Sequence, residues 1–371
     1  MTVTCVLVAW AGGRGWLPVR LETPDVLLAP AALGLALAAA LGAAAFDHDL
    51  PGYRFGWRQL ASLVAAGALT VGVVPVLAGV RDGRWGLTHE EVARSLTWMG
   101  PEAADGAFRV LWLGAPQALP LDGWHLADGV AYATSRNGAP GVTDLLPGSP
   151  SPATRSIAAS IRLAARGDTA RLGQLLAPMA VRYIVVPVEL ATGLADAGRY
   201  PLPTDLARAL VTQIDLRLLP SDPGLTVYEN TSWGPGRAAL PERLTGPLPT
   251  SLGAGADLSG GTPVLGEGGP VRFAGTVPPN STVLVAEAPS SRWALTVGGE
   301  RADRQRAFGV ANVYRATEGG AARLRYRTPA LRYVLVGAQV AAWGLAVRSL
   351  LRLRRRALEL EAPRPTSMTP R

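Results

Sequence analysis

The chain has no lysine and a single cysteine, Cys5, in 371 residues. One cysteine cannot close an internal disulfide, so any folded part must be held by its own apolar core. The three histidines, His48, His89 and His125, are scattered without ligand spacing, and no zinc site is legible among them. There is no G-x-S-x-G elbow, no phosphate-binding loop motif, no H-E-x-x-H and no Cys/His pair, which leaves the common hydrolase and nucleotide-binding signatures unrepresented. The glycine-rich stretch Gly253 to Gly261 follows no clear strand and opens no helix, so it is not read as a phosphate cradle. With lysine absent, all 36 basic residues are arginine, and against 28 acidic residues they leave a net charge of +8. Such a balance is familiar from nucleic-acid-binding proteins. Here it accompanies a composition rich in Ala, Gly, Leu and Pro, the mark of a GC-rich genome, and several arginines sit at the ends of apolar runs. No nucleic-acid partner and no cofactor are expected.

Those runs are the strongest positive signal. Val26 to Phe46 and Leu60 to Val80 are uncharged and about as long as the roughly 20 apolar residues that cross a hydrocarbon layer. The first carries Gly34, Ala38 and Gly42 at four-residue spacing, small residues that let a neighbouring helix approach; the second carries Gly67, Gly72 and Pro75, which membrane helices tolerate inside bundles. A third run, Tyr333 to Val347, is shorter. Its flanking Arg332 and Arg348 can snorkel and extend a span over 331–351. The five arginines from Arg348 to Arg356 make the tail 352–371 cytoplasmic by the positive-inside bias, and three spans then put the long middle region outside. The N-terminus opens on an apolar stub, Val3 to Ala11, without the basic start or cleavage site of a signal peptide. It reads as the tail of another span, and the chain as the C-terminal part of a longer membrane protein.

The fold class expected is therefore an α+β membrane protein, with about three transmembrane helices, an extracytoplasmic α/β lobe and a β-sandwich lobe. Residues 1–81 form the N-terminal membrane region. In 82–235, the runs Phe108 to Gly114, Val130 to Thr134, Val181 to Val188 and Leu225 to Glu229 suit buried strands. Pro152 to Arg166, Thr169 to Ala180 and Thr204 to Asp215 have helical spacing. In the strand VRYIVV, alternation places Val181, Tyr183 and Val185 on one face and leaves Arg182 on the other, or paired with an acid. Residues 236–270, dense in Pro, Gly and Ser, read as a connector or irregular wrap. In 271–329, Val271 to Val277, Ser281 to Ala286, Trp293 to Val297, Val310 to Ala316 and Ala322 to Tyr326 alternate apolar and polar residues, with Gly298-Gly299 as a hairpin turn. Trp293 reads as a core anchor of this sandwich. Its last strand runs into the third span at Thr328-Pro329.

The strings RYIVVP (Arg182 to Pro187), VYENTSWGPGRAAL (Val227 to Leu240) and RWALTVGGERADRQRAFGVANVYRATEGGAARLRYRTP (Arg292 to Pro329), placed before a closing span, resemble the C-terminal outer region of YfhO-like multi-pass membrane proteins. More narrowly, they resemble the membrane C-terminal part of large family 2 glycosyltransferase proteins of high-GC Gram-positive bacteria. The resemblance implies a multi-pass protein of the bacterial plasma membrane, with further transmembrane helices, a cell-envelope role, and a lipid-linked sugar or cell-wall glycan as partner. It also implies a catalytic base in an outer loop near earlier spans, which this chain lacks, so the catalytic centre is expected outside it. A membrane-anchored binding or scaffold protein and a glycolipid transporter or flippase component are the alternatives; the two clear spans hold no charge, which argues against transport.

Candidate glycan contacts are Trp112, Asp122, Trp124, Asp128 and Tyr132, with Asp144 nearby in sequence, because sugar sites combine stacking rings with carboxylate acceptors. Asn230 and Trp233 are added as possible sugar contacts, although Asn230 also suits a turn. Asp47-His48-Asp49 has the D-x-D pattern of metal-diphosphate sites, but it lies in a short loop between spans without a nucleotide-binding domain, so no metal is expected at Asp47 and Asp49. The sequons at Asn230 and Asn280 are discounted in a bacterial setting.

Overall fold

In a computed structural model of the chain, the described residues are 4–8, 31–34, 36, 94–144, 150–188, 199–222, 224–244, 246–266, 268–269 and 271–361. The expected span 60–80 and the Asp47-His48-Asp49 motif lie outside them, and of the expected span 26–46 only residues 31–34 and 36 are described, as helical. The described part is α+β, with three sheets and one long apolar helix.

The first sheet has the order β2-β3-β1-β4-β6-β5. Its strands are β1 (Arg109–Gly114), β2 (Trp124–Ala127), β3 (Val130–Arg136), β4 (Val181–Pro187), β5 (Leu216–Leu219) and β6 (Leu225–Asn230). The β1–β4 pair is parallel and every other pair antiparallel. Between β3 and β4 the chain forms α1 (Pro152–Ala165) and α2 (Leu172–Leu176); α3 (Thr204–Val211) precedes β5. Helix α1 starts where the sequence signals it, with Pro152 in its first turn and the Ser151 hydroxyl accepting from Thr154 N at 3.1 Å. Its Ile157, Ile161 and Ala164 join Leu111, Leu113, Ile184 and Val186 in one core. The opposite face of the same strands, Val110, Trp112, Tyr183 and Val185, packs under Leu96, Met99, Leu119 and Leu121. The strands read as unbroken apolar runs because both faces are buried.

The alternation expected for β4 is broken by a bulge. Arg109 pairs with Val181 but Val110 pairs with Tyr183, so Arg182 is the extra residue on β4. Val181 therefore shares the helix-side core with Ile184, whereas Tyr183 and Val185 turn to the other face. One inserted residue flips the pattern, which a period-two reading cannot anticipate.

The remaining strands are β7 (Arg237–Ala239), β8 (Thr262–Pro263), β9 (Arg272–Val277), β10 (Ser281–Val285), β11 (Trp293–Val297), β12 (Glu300–Arg301), β13 (Asp303–Ala307), β14 (Ala311–Ala316) and β15 (Gly320–Tyr326). They make a five-stranded sheet, β13-β14-β10-β7-β8, and a four-stranded sheet, β12-β11-β15-β9. Val283, Val285 and Tyr314 from the first meet Phe273, Trp293, Leu295 and Leu324 from the second in a shared core. Trp293 is an anchor there, its ring 5.1 Å from that of Tyr326. Gly298 and Gly299 turn β11 into β12 with φ of 60° and 97°, the backbone a two-residue hairpin needs.

The stretch 236–270 is more than a connector. It supplies β7 and β8, with β7 paired to β10 inside the five-stranded sheet. Neither RAA nor TP has an alternating pattern, so only the tertiary partner makes them strands. The other face of that sheet is also covered: Leu284, Val313 and Phe308 join Leu176, Met179, Leu240 and Leu258 in the helix-side core of the first lobe. The two lobes therefore share one continuous apolar interior.

A buried polar network fixes α2 within it. The α2 amides of Leu172 and Gln174 donate to the side chains of Gln213 and Asp215, each at 2.8 Å. Asn230 donates to the carbonyls of Gly173 and Val181 at 2.9 Å and accepts from Ser232 N at 3.0 Å. Gly173 has no room for a Cβ, which would run into Asn230 Oδ1 and Asp215.

Helix α4 (Ala330–Glu361) follows β15 after three residues. Its segment Ala330–Ser349 is the one stretch among the described residues that is long and apolar enough to cross a membrane, and none of it is buried against the rest of the protein. The expected span 331–351 falls in this helix, which continues through Arg352 to Arg356.

Because the completely buried Asn230 joins the Gly173 and Val181 carbonyls to the Ser232 amide, Asn230→Ala is expected to lower unfolding free energy by roughly 2–4 kcal/mol. Val211→Ser, at an exposed position, is expected to stay within about 0.5 kcal/mol. Denaturant titration of the full chain in detergent, followed by circular dichroism, measures both.

Candidate functional site

The residues singled out as glycan contacts do not assemble into one site. Trp112 is fully buried and donates through Nε1 to the Ser135 hydroxyl at 2.8 Å. Tyr132, opposite Leu113 in the β1–β3 register, lies on the other side of the sheet; it is buried and donates its hydroxyl to Thr154 O at 3.0 Å. Trp124 is half-buried, with its ring 5.5 Å from that of Tyr132, so the pair packs beneath α1 instead of forming an open platform. Asp122 and Asp128 are exposed, the latter in the β2–β3 turn, and Asp144 accepts from the Gly141 amide at 3.0 Å. Asn230 is completely buried in the network around α2. Trp112, Tyr132 and Asn230 are thus corrected to structural residues: aromatic and amide side chains look alike in sequence whether they face sugar or core.

Trp233 belongs to a different cluster, built around Arg182. The bulge brings the Arg182 guanidinium 4.5 Å above the Trp233 ring and 5.2 Å from that of Tyr183. It donates to the Glu102 carboxylate and, at 3.1 Å, to the Glu102 carbonyl; Asp105 lies at 3.5 Å and Glu229 at 4.0 Å. Arg182 is 7% exposed. The cluster neutralises itself and presents little surface to a ligand. Burial pushes the Tyr183 phenol up to about 12, Arg182 opposing and Glu102, Glu229 and Asp105 adding to the rise.

An open cavity lies beside it, where the two lobes meet. It has a volume of about 290 Å³, and its charged lining is Arg109, Arg136, Arg237 and Glu287. Arg109, the first residue of β1, donates to Met179 O at 2.6 Å in its own lobe and to Ala286 O at 2.9 Å in the other. Its Nη2 is 3.4 Å from Glu287. Burial lowers the Arg109 pKa, Glu287 opposes that and Arg136 adds to it. Arg237 anchors its Nε on Leu265 O at 3.0 Å and stacks its guanidinium on Phe273, 4.0 Å from the ring centre. Arg136, at the end of β3, is exposed on the rim and makes no side-chain hydrogen bond or ion pair among the described residues. The next residue, Asn137, reverses the chain with a φ of 54° and accepts from the Phe108 amide at 3.0 Å.

Three guanidinium groups against one carboxylate give this cleft a positive potential in a partly desolvated setting. Planar forks of N–H donors match the oxygens of phosphate or carboxylate. No histidine or cysteine lines it, and its single carboxylate is held by Arg109. Among the described residues there is no group of three or more His, Cys, Asp or Glu that would hold a metal ion. The arrangement has the donor chemistry that suits an anion. Reading the sequence missed it because residues 109, 136, 237 and 287 are far apart and share no motif; the only signal was Arg237 at the end of the YENTSWGPGR string. No protein-family model, curated protein or solved structure matches this chain.

The raised phenols give a pH test. Tyr183 and Tyr314, both at about 12 through burial, stay protonated in the folded chain after the unfolded chain has begun to ionise at its ordinary value near 10. Stability is then fully present below about pH 10 and falls as pH rises towards 12. Tyrosinate absorbance of the folded chain is expected to lose its latest-ionising component in the Tyr183→Phe, Tyr314→Phe double variant.

Proposed function

We propose that this chain is the C-terminal part of a bacterial cell-envelope glycosyltransferase-type integral membrane protein, and that its outer module binds or positions a phosphate-bearing, lipid-linked glycan. The observation that carries the reading is the cleft between the lobes, with Arg109, Arg136 and Arg237 set against a single, already paired Glu287. Its position supports the same ligand. Phe273 and Gly269 line the cleft at the start of β9. That end of β9 pairs with the end of β15, Phe273 opposite Leu324 and Arg272 opposite Arg325, and β15 leads into α4. If α4 spans the bilayer, the cleft lies on the side of the module from which the helix leaves, where the phosphate of a membrane-borne substrate is found.

On this reading the protein belongs to the plasma membrane, with the module outside and the arginine-rich end of α4 in the cytoplasm. The reacting groups are supplied by other spans or domains, and this module holds the substrate. A non-enzymatic, membrane-anchored binding protein is the second reading, favoured by the absence of a free acid–base pair in the cleft.

Calorimetric titration of the detergent-solubilised full chain with farnesyl phosphate and with inorganic pyrophosphate tests the proposal. Saturable binding that weakens with salt is expected, together with a loss of about tenfold in Arg136→Ala, an exposed rim residue that makes no side-chain hydrogen bond or ion pair among the described residues. No saturable binding, or an affinity unchanged in Arg136→Ala, overturns it.

A further inference from the structure

The outer face of the four-stranded sheet is a second basic surface, separate from the cleft. Strand β15 buries Ala322 and Leu324 and turns Arg323 and Arg325 to the outside, and Arg327 is exposed just beyond it. Arg272 of β9 lies directly opposite Arg325, and Arg301 of β12 opposite Thr296. A shallow depression of about 380 Å³ is lined by Arg272, Arg323, Arg325 and Arg327 with the small Ala294 and Thr296 and the Tyr326 ring, and by no carboxylate. None of these four arginines makes a side-chain hydrogen bond or ion pair among the described residues. Like charges directly opposite on neighbouring strands destabilise a sheet. No carboxylate lines this depression, so an anionic surface set against it relieves a repulsion that water and salt otherwise only screen.

The way α4 leaves this sheet identifies that surface. Three residues, 327–329, join β15 to the helix. The link is tied at its sheet end, where Arg327 N donates to Arg292 O at 2.9 Å, and at its helix end, where Arg332 N donates to Pro329 O at 3.0 Å. An extended residue reaches at most about 3.6 Å, so Arg327 lies within about 11 Å of the start of α4 and Arg325 within about 18 Å. Polar headgroups fill about 5–8 Å on each side of the hydrocarbon layer, and charges act across a further 8 Å or so at physiological salt. With the apolar segment of α4 in the bilayer, Arg272, Arg325 and Arg327 fall within reach of lipid phosphates.

We infer that this arginine face docks on an anionic phospholipid surface and so holds the module down against the membrane instead of leaving it to swing on α4. The partner is the bilayer: its charge complements a face that lacks carboxylates, and the exposed apolar helix continues from the same strand.

The full chain in nanodiscs of phosphatidylcholine alone, or of an equimolar mixture with phosphatidylglycerol, tests this inference, because α4 anchors it in both. With Cys5→Ser and Thr296→Cys in place, maleimide labelling at position 296 reads whether the face is covered. Labelling is expected to slow at least fivefold in the anionic discs, to recover at high salt, and to recover in the Arg323→Ala, Arg325→Ala variant, each arginine near an anionic surface being worth about a fivefold change in its affinity. Equal and fast labelling in both discs overturns the inference. Equally slow labelling in both overturns it too, since another segment of the chain or a second protein then covers the face. Matching near-ultraviolet circular dichroism in phosphatidylcholine discs establishes that the variants are folded.

Discussion

A guanidinium mostly shut off from water at the junction of two lobes is the constraint on which the outer module depends. Arg109 cannot lose its charge under ordinary conditions, so its N–H groups must find acceptors wherever the fold places them. They find Met179 O in the first lobe and Ala286 O with Glu287 in the second. Close by, Gly236 N donates to Ala107 O and Ala286 N to Gly236 O, so the backbone repeats the tie. The orientation of one lobe on the other is thus written into hydrogen bonds that reach across the seam, and into the core that both lobes fill. The cleft lies along this seam, and the residue that fixes the seam is also one of its walls.

Arg182 solves the same problem without opening a site. The bulge in β4 turns its side chain towards Glu102 and Asp105, which precede the first strand, and towards Glu229 on β6, while Trp233, Tyr183 and Phe108 shield it from water. A buried charge with several acceptors and an aromatic cage is close to satisfied, and it has little left to offer a ligand. The contrast with the cleft decides between the two clusters. Arg136 and the stacked Arg237 guanidinium face a cavity, whereas Arg182 faces its own partners. Charge alone would have favoured Arg182; the space in front of the charge favours the cleft.

What was legible in the sequence follows from how far each signal reaches along the chain. Strands β9, β10, β11, β14 and β15 announced themselves through period-two alternation or compact apolar runs, and Gly298-Gly299 through its demand for positive φ. Helix α1 was legible in the helical spacing from Pro152 onward. By contrast, β7, β8 and the polar β13, DRQRA, have no local pattern; they are strands because β10 and β14 present them with backbone partners. The site failed to show for a related reason. Aromatic residues near acids were read as a sugar platform by residue type, but a one-residue step along β1 and β3 sends Trp112 and Tyr132 to opposite faces of one sheet. The cleft's charged residues, the three arginines and Glu287, are spread over nearly 180 positions from 109 to 287 and become neighbours only once the lobes have docked.

The charges flanking α4 bear on how the proposed membrane protein is oriented. Five arginines, 348 to 356, lie at its C-terminal end, but Arg323, Arg325, Arg327 and Arg332 lie at its N-terminal end. Counted as a flexible loop, the second group would nearly cancel the first. The positive-inside bias, however, acts on short loops, and long folded regions translocate largely regardless of their charge. Arg323 and Arg325 belong to β15, inside a module of more than 200 residues, so they weigh little in the choice of side. The basic run belongs to α4 itself, directly beyond its apolar segment, and keeps its weight. The same arginines thus leave the orientation to the C-terminal run, while at the outer surface they give the module a charged face to set against the bilayer.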